Sequence, residues 1–129
     1  MLVADASVIA PFVADGGPEG DTIRRRLHGD TIAGPDLLRI EVISVIRRQV
    51  GMGTLSQAHA DRAIDDLLQL PVASYPSGPF LRRAWALRDN ITPYDACYVA
   101  LAEALECPLL TADARLANAP GTRCTIELI

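Results

Sequence analysis

The sequence contains no lysine, and all twelve of its basic residues are arginines. The missing lysine excludes a Walker-type phosphate loop, in which a lysine contacts the nucleotide phosphates. It also excludes enzymes that form a Schiff base on a lysine or use one as a general acid or base. The formal net charge of −4 argues against binding of nucleic acid through bulk positive charge, although a local basic patch is compatible with it.

Cysteines, aromatic residues and long apolar runs are also scarce. The three cysteines form no CxxC pattern, so we expect reduced, mostly buried thiols in a cytosolic protein. There is no run of about 18 apolar residues that would predict a membrane span, and no basic, apolar leader that would predict export. The aromatic content of 5% limits base stacking by aromatic side chains. We therefore expect a cytoplasmic protein that does not act at a membrane.

The 129 residues, half of them hydrophobic, suffice for one domain with a buried core. Short apolar strands alternate with amphipathic helices along the chain. The strands are predicted at residues 2–4, 31–33, 72–74, 108–111 and 124–128. The helices are predicted at residues 7–14, 18–28, 35–50, 56–70, 78–88, 92–106 and 112–118. This alternation predicts a three-layer α/β/α sandwich around a mainly parallel sheet of roughly five strands.

Two acidic residues directly follow predicted strands. Asp5 comes after the first strand, and Asp113 comes after the fourth. Both therefore belong to the carboxyl edge of the sheet, where the sites of parallel α/β domains form. An aspartate at either position could instead cap the helix that follows it. The sequence leaves both interpretations open.

Two further acids lie on helix faces that should pack against the sheet. Glu41 is surrounded on its helix by leucine and valine side chains, where a carboxylate is costly unless it is paired or coordinated. It could alternatively turn outward to water or pair with Arg48. Asp95 stands three residues after Thr92, which is the spacing of a capping box, but its neighbours one turn on also face the core.

These four carboxylates would repel one another if the fold brought them into one crevice, and each would raise the pKa of its neighbours. A hard divalent cation relieves that repulsion and prefers oxygen ligands, so Mg²⁺ or Mn²⁺ is the expected metal. No histidine or cysteine has zinc-site spacing relative to them. A divalent cation held by a few carboxylates is typical of phosphate chemistry, which then needs no nucleophilic side chain.

The segments around these acids resemble the PIN-domain ribonucleases of the VapC toxin type. The resemblance covers the whole chain in order, through LVADAS at 2–7, Glu41 in its apolar helix, TPYDACYVALAE at 92–103 and LTADARL at 110–116. It implies a single PIN domain over residues 1–129, with a parallel sheet flanked by helices, and a homodimer. It also implies the toxin of a type II toxin–antitoxin system, which cleaves RNA with Mg²⁺ or Mn²⁺ and is inhibited by a cognate antitoxin.

The resemblance also assigns residues. The catalytic and metal-binding acids are Asp5, Glu41, Asp95 and Asp113, and the supporting hydroxyls are Ser7 and Thr111. Some relatives carry a further acid just after the fourth, where this chain has Ala114 and Arg115, so the ligands of a second metal stay open. The reaction implied is hydrolysis of an RNA phosphodiester by metal-activated water, leaving a 5′-phosphate and a 3′-hydroxyl. The candidate RNA contacts are Arg115, Arg47 and Arg48, with Arg24–Arg26 and Arg82–Arg83 as possible extensions of a groove.

Three other functions are compatible with clustered acids in an α/β chain. A phosphatase with Asp5 as its nucleophile would carry a second aspartate where this chain has Ser7, and also a lysine. A phospho-acceptor receiver domain would likewise need a lysine and an early acidic pair. The third alternative is a dimerisation module whose acids only cap helices. Cleavage of RNA that depends on a metal distinguishes the ribonuclease from all three, whereas formation of an acyl phosphate on Asp5 would favour the metal-dependent phosphatase or the receiver domain.

Overall fold

Five short strands build one sheet. A computed structural model describes all of residues 1–129 and gives the strands as β1 (Leu2–Ala4), β2 (Ile32–Pro35), β3 (Val72–Tyr75), β4 (Leu109–Thr111) and β5 (Ile126–Leu128). They lie in the order β3–β2–β1–β4–β5, and every neighbouring pair is parallel. The predicted five-stranded sheet is thus confirmed, and it is entirely parallel.

Seven α-helices flank this sheet. They are α1 (Ala6–Ala14), α2 (Pro18–Leu27), α3 (Leu38–Gly51), α4 (Gln57–Gln69), α5 (Leu81–Ala86), α6 (Pro93–Ala104) and α7 (Ala114–Ala117). Helix α1 packs against α2, α3 and α4, whereas α5 packs against α6. Right-handed crossovers place these two groups on opposite faces of a parallel sheet. The predicted three-layer arrangement is confirmed.

Most predicted helix boundaries agree with the structure to within two residues, and two helices start three residues later than predicted. The helix expected to start at residue 35 starts at Leu38, because Pro35 ends strand β2 opposite Tyr75. The helix expected over 78–88 is a 3₁₀ turn at Gly78–Phe80 followed by the short α5. Both errors fall where proline and glycine permit an extended strand end or a tight turn as readily as a first helical turn.

Helix α6 forms the centre of the molecule. Seven consecutive residues, Ala96 to Ala102, are buried on it, and it contacts β1, β2 and β4. A helix that is apolar on all sides is buried on all sides, and its small alanines allow close approach to the sheet. Its start agrees with the sequence, since Thr92 is the N-cap and Pro93 the first helical residue.

The junction of α1 and α2 is tightly packed. A Cβ atom at Gly20 would lie 2.0 Å from the carbonyl oxygen of Asp15, so only glycine fits there. The Asp15 carboxylate accepts hydrogen bonds from the backbone N–H groups of Gly17 and Gly20. Arg24 donates to the carbonyl oxygens of Phe12 and Asp15 and thereby holds α2 against the end of α1.

The three cysteines are free thiols; Cys97 is buried, whereas Cys107 and Cys124 are only partly covered. The expected burial thus holds fully for Cys97 alone. None of the helices combines the length and apolar character that crossing a membrane would require.

The sheet order creates a switch point between β1 and β4. From β1 the chain proceeds to β2 and β3 on one side, then crosses to β4 and β5 on the other. The connections that leave the carboxyl ends of β1 and β4 therefore diverge and open a crevice, which is where ligands bind in such sheets. Asp5 and Asp113 lie at this edge.

Candidate active site

Asp5 is fixed at the carboxyl end of β1. Its residue is 4% exposed, and both carboxylate oxygens accept hydrogen bonds. The Ser7 N–H donates to Oδ1 at 3.0 Å, and the Thr111 hydroxyl donates to Oδ2 at 2.6 Å. Asp5 is also the N-cap of α1, so the capping interpretation is confirmed. Capping uses one oxygen only, and the second oxygen is held by the neighbouring strand end.

The hydroxyls of Ser7 and Thr111 join the ends of β1 and β4. Ser7 Oγ donates to Asp5 and accepts from the Ala112 N–H at 2.8 Å. Thr111, which is completely buried, accepts from the Asp113 N–H at 3.0 Å while it donates to Asp5. The two predicted supporting residues therefore orient the Asp5 carboxylate and fix the loop that carries Asp113.

Glu41 is held from the opposite helical layer. It lies half-buried on α3, and the hydroxyl of Tyr98 on α6 donates to its Oε1 at 2.6 Å. No ion pair joins Glu41 to Arg48, so that alternative is wrong. Burial and the Glu41 carboxylate raise the pKa of Tyr98, which keeps the hydroxyl protonated as a donor. Tyr98 was not predicted as a site residue, although its position three residues after Asp95 places it on the same helix face.

Asp95 and Asp113 lie in different local environments. The Asp95 N–H donates to Thr92 Oγ1 at 3.3 Å, which is one of the two bonds of a capping box. Asp113 caps α7 by accepting the Arg115 N–H at 2.8 Å, and its carboxylate lies 3.5 Å from the Arg115 guanidinium. These bonds hold the pKa of Asp113 below its usual value. The capping interpretation of Asp113 is confirmed.

Unlike Asp113, the carboxylates of Asp5, Glu41 and Asp95 form no ion pair. Burial raises the pKa of Asp5, Glu41 and Asp95, and neighbouring negative charges add to the effect. The negative charge of Asp95 raises the pKa of Asp5 and of Glu41, and the negative charge of Asp113 raises the pKa of Asp95. No arginine forms an ion pair with any of the three. The four predicted acids thus lie in one connected electrostatic neighbourhood, in which Asp113 is paired with Arg115 and the other three carboxylates form no ion pair.

The charge of the four predicted acids equals the net charge of −4 of the whole chain. Apart from the four acids, twelve acidic residues balance twelve arginines. The donor set contains only oxygen, as a hard divalent cation prefers, and the missing counter-charge is what such an ion would supply. No group of three or more acidic, histidine or cysteine side chains is close enough to hold an ion together. Glu41 and Asp95 are only half-buried, so both residues are partly open to solvent.

The arginines divide into bound and free groups. Arg26 binds Glu127 through two hydrogen bonds, and Arg83 binds Glu103 in the same way. Arg24 is likewise engaged at the α1–α2 junction, so these three side chains are held by contacts within the chain, and their part in an RNA groove stays a prediction. Arg115, with a side chain 94% exposed, stands beside Asp113. The exposed residues Arg47, Arg48 and Arg82 form no ion pair.

Two cavities adjoin the acids. One of about 340 Å³ begins at Ser7 and continues between α1 and α3, past Ala10, Val45 and Leu55. Another of about 170 Å³ opens beside Asp95 and Asp113. Its other lining residues are Asn90, Ile91, Thr92, Arg115, Leu116 and Ala119. Neither cavity could be predicted from the sequence, because their walls come from segments far apart along the chain.

Comparison with known proteins agrees with this architecture. The family model described as PIN domain matches residues 2–121. Ribonuclease VapC12 of Mycobacterium tuberculosis is 40% identical over 129 residues, which is 100% of this chain and 99% of the relative.

Solved structures show the same fold. That of Mycobacterium tuberculosis VapC20, described as a sarcin–ricin loop cleaving toxin, matches with a TM-score of 0.71 at 15% identity, covering 91% of this chain and 93% of that one. Rickettsia felis VapBC2, solved with a DNA fragment from its promoter, matches with a TM-score of 0.68 at 13% identity, covering 99% and 98%. By its matched domain and its full-length relative, the chain belongs to the PIN-domain family and, within it, to the VapC ribonucleases.

Proposed function

We propose that this chain is the toxin of a type II toxin–antitoxin system, an endoribonuclease that depends on Mg²⁺ or Mn²⁺ and acts in the cytoplasm. The observation that carries the proposal is the group of three carboxylates, the buried Asp5 and the half-buried Glu41 and Asp95, which have a raised pKa and form no ion pair. A merely structural set of acids would be expected to have arginine partners or exposure to water. Here the negative charge is concentrated at the switch point of the sheet.

Each acid has its own role in the proposed site. Asp5 offers a carboxylate fixed by Ser7 and Thr111, and Glu41 offers one oriented by Tyr98. Asp95 completes the set from the start of α6, and Asp113 adds an ionised carboxylate at the rim. A divalent cation bound there supplies the positive charge that neutralises the phosphodiester and lowers the pKa of water. The side chains of this protein would hold the cation in place, and none of them is required as a nucleophile.

The phosphatase alternative is disfavoured by the surroundings of Asp5. Such an enzyme would carry a second aspartate two residues after its nucleophile, and this chain has Ser7 there, which donates to Asp5 through its N–H and its hydroxyl. It would also carry a lysine, and the chain contains none. The receiver-domain alternative lacks its lysine, and helix capping alone leaves the environment of Glu41 unexplained, since Glu41 caps nothing.

The proposal includes two protein partners. The 340 Å³ cavity that reaches Ser7 suits a segment of a cognate antitoxin, which would block access to the acids from this side. A second copy of the chain is the other partner, because large apolar side chains stand exposed on α3 and α5. They are Ile40, Ile43, Leu81 and Trp85.

Cleavage of RNA by the purified chain tests the proposal. We expect cleavage of labelled RNA with Mg²⁺ or Mn²⁺, none with EDTA, and fragments with a 5′-phosphate and a 3′-hydroxyl. Asp5→Asn should reduce the rate to background while the fold is retained, because Asn nearly preserves the shape of the side chain. Asp61→Asn, on the exposed face of α4, is the matched control and should cleave like the unaltered chain. Cleavage by Asp5→Asn at the unaltered rate would refute the proposal.

A further inference from the structure

We propose that the cavity of about 170 Å³ beside Asp95 and Asp113 is a binding site for one unstacked nucleobase of the substrate, read at its edge by Asn90. This inference rests on the proposed function and extends it by naming a residue that determines where the RNA is cut. Its position supports the assignment, since the cavity shares two walls with the proposed catalytic acids. A base seated there belongs to a nucleotide next to the cleaved bond.

The size and the floor of the cavity suit a planar ring. The volume equals that of about five or six water molecules, at about 30 Å³ each. This is room for one base and too little for a helix. The floor is apolar, formed by Ile91 and Leu116, which are 6% and 3% exposed, together with Ala119. An aromatic base covers such a floor with its face and keeps its polar edge towards the rim.

Asn90 supplies the polar group at that rim. Its backbone N–H is bonded to the Leu87 carbonyl, which fixes the position of the residue. Its exposed side-chain amide makes no hydrogen bond within the chain, so one acceptor and two donor hydrogens are available. An asparagine amide pairs with both N6 and N7 of adenine, and adenine is therefore the base that we assign to the cavity.

The charges around the cavity agree with a base inside it and a phosphate outside it. The carboxylates of Asp95 and Asp113 in its wall offer oxygen atoms that accept hydrogen bonds from an exocyclic amine such as N6 of adenine, while the phosphate of the same nucleotide lies outside the cavity, towards the proposed cation. The guanidinium of Arg115 is 94% exposed and makes only a long contact of 3.5 Å with Asp113, so it can also reach an adjacent phosphate. The cavity thus separates the two parts of one nucleotide by charge.

The first test is base preference in a randomised single-stranded RNA. We expect the unaltered chain to prefer adenine at one position beside the cut, and Asn90→Ala to lose about tenfold of that preference. Gln57→Ala removes an exposed amide on α4 that lines no part of the cavity, and it should keep the preference. Equal base profiles for Asn90→Ala and the unaltered chain would overturn the inference.

A binding measurement separates this inference from the proposed function. The chain has only two Asn and three Gln residues, so the side-chain amide signal of Asn90 can be assigned and followed by NMR. Adenosine 5′-monophosphate should shift that signal saturably, and uridine 5′-monophosphate should shift it less. This result would support the assignment of the cavity as a base-binding site even if the unaltered chain cleaved no RNA. An Asn90 signal unmoved by millimolar adenosine 5′-monophosphate would refute the base site even if RNA were cleaved.

Discussion

Replacement of Tyr98 by phenylalanine tests whether Glu41 works as a positioned ligand. The ring of Tyr98 is 1% exposed, and its hydroxyl donates to Glu41 at 2.6 Å. Tyr98→Phe keeps the packing of the ring and removes one hydrogen bond to a charged acceptor, a bond worth about 1.5–3 kcal/mol. Because Glu41 is half-exposed and regains water, we expect the free energy of unfolding to fall by only about 1–2 kcal/mol.

The effect on activity should exceed this loss of stability. Residues that orient a metal ligand change metal affinity or activity by about 10–100-fold when they are removed. We therefore expect the Mn²⁺ concentration for half-maximal RNA cleavage by Tyr98→Phe to rise by about that factor, and excess Mn²⁺ to restore part of the rate. The assays are initial cleavage rates across a Mn²⁺ series, and urea unfolding of the metal-free protein.

Tyr75→Phe provides the matched control. Tyr75 is half-buried on the edge strand β3, and its hydroxyl makes no hydrogen bond within the chain. This variant should match the unaltered chain in stability and in Mn²⁺ dependence. If Tyr98→Phe and Tyr75→Phe had the same Mn²⁺ dependence, Tyr98 would be a packing residue and the assignment of Glu41 as an oriented ligand would fail.

Three further predictions concern stability, pH and salt. Gly20→Ala should lower the free energy of unfolding, measured by urea denaturation, by about 2–3 kcal/mol, because the added Cβ would meet the Asp15 carbonyl oxygen. Gly16→Ala is the control and should leave the free energy of unfolding unchanged, because there is open space around Gly16. Burial raises the pKa of Asp5, so the folded metal-free chain binds more protons than the unfolded chain, and its stability should fall as pH rises above the usual carboxyl range. Asp5→Asn should flatten this fall in urea midpoints recorded from pH 5 to pH 8 with EDTA, and an unchanged slope would contradict the burial argument. Arg115→Gln should reduce the slope of log kcat/KM against log salt by about 0.7–0.9, while Arg62→Gln, on α4, should leave the slope unchanged.

The backbone framework could be predicted because its signals are local. The short apolar run before Asp5 and the one before Asp113 define strands whose carboxyl ends carry those acids, and both are confirmed. Thr92 and Pro93 define the start of α6 by capping chemistry, which depends on adjacent residues alone. Where proline or glycine allowed two conformations, as at Pro35, the boundary was wrong.

The contacts between layers could not be predicted. Tyr98 and Glu41 are separated by 57 positions and lie on helices from opposite faces of the sheet. Helical periodicity identifies which face of each helix is buried, but not which side chain of another element it meets. The same limit applies to Arg26 and Glu127, which are 101 positions apart, and to the cavity beside Asn90.

The central claim is that the carboxylates of Asp5, Glu41 and Asp95, with Asp113 beside them, form a divalent-cation site. Calorimetric titration of Mn²⁺ into the metal-free chain tests it without reference to RNA. We expect saturable binding to the unaltered chain and to the control Asp61→Asn, and loss of that binding in Asp5→Asn. Equal Mn²⁺ affinity in Asp5→Asn and the unaltered chain, or no saturable binding to either, would contradict the claim.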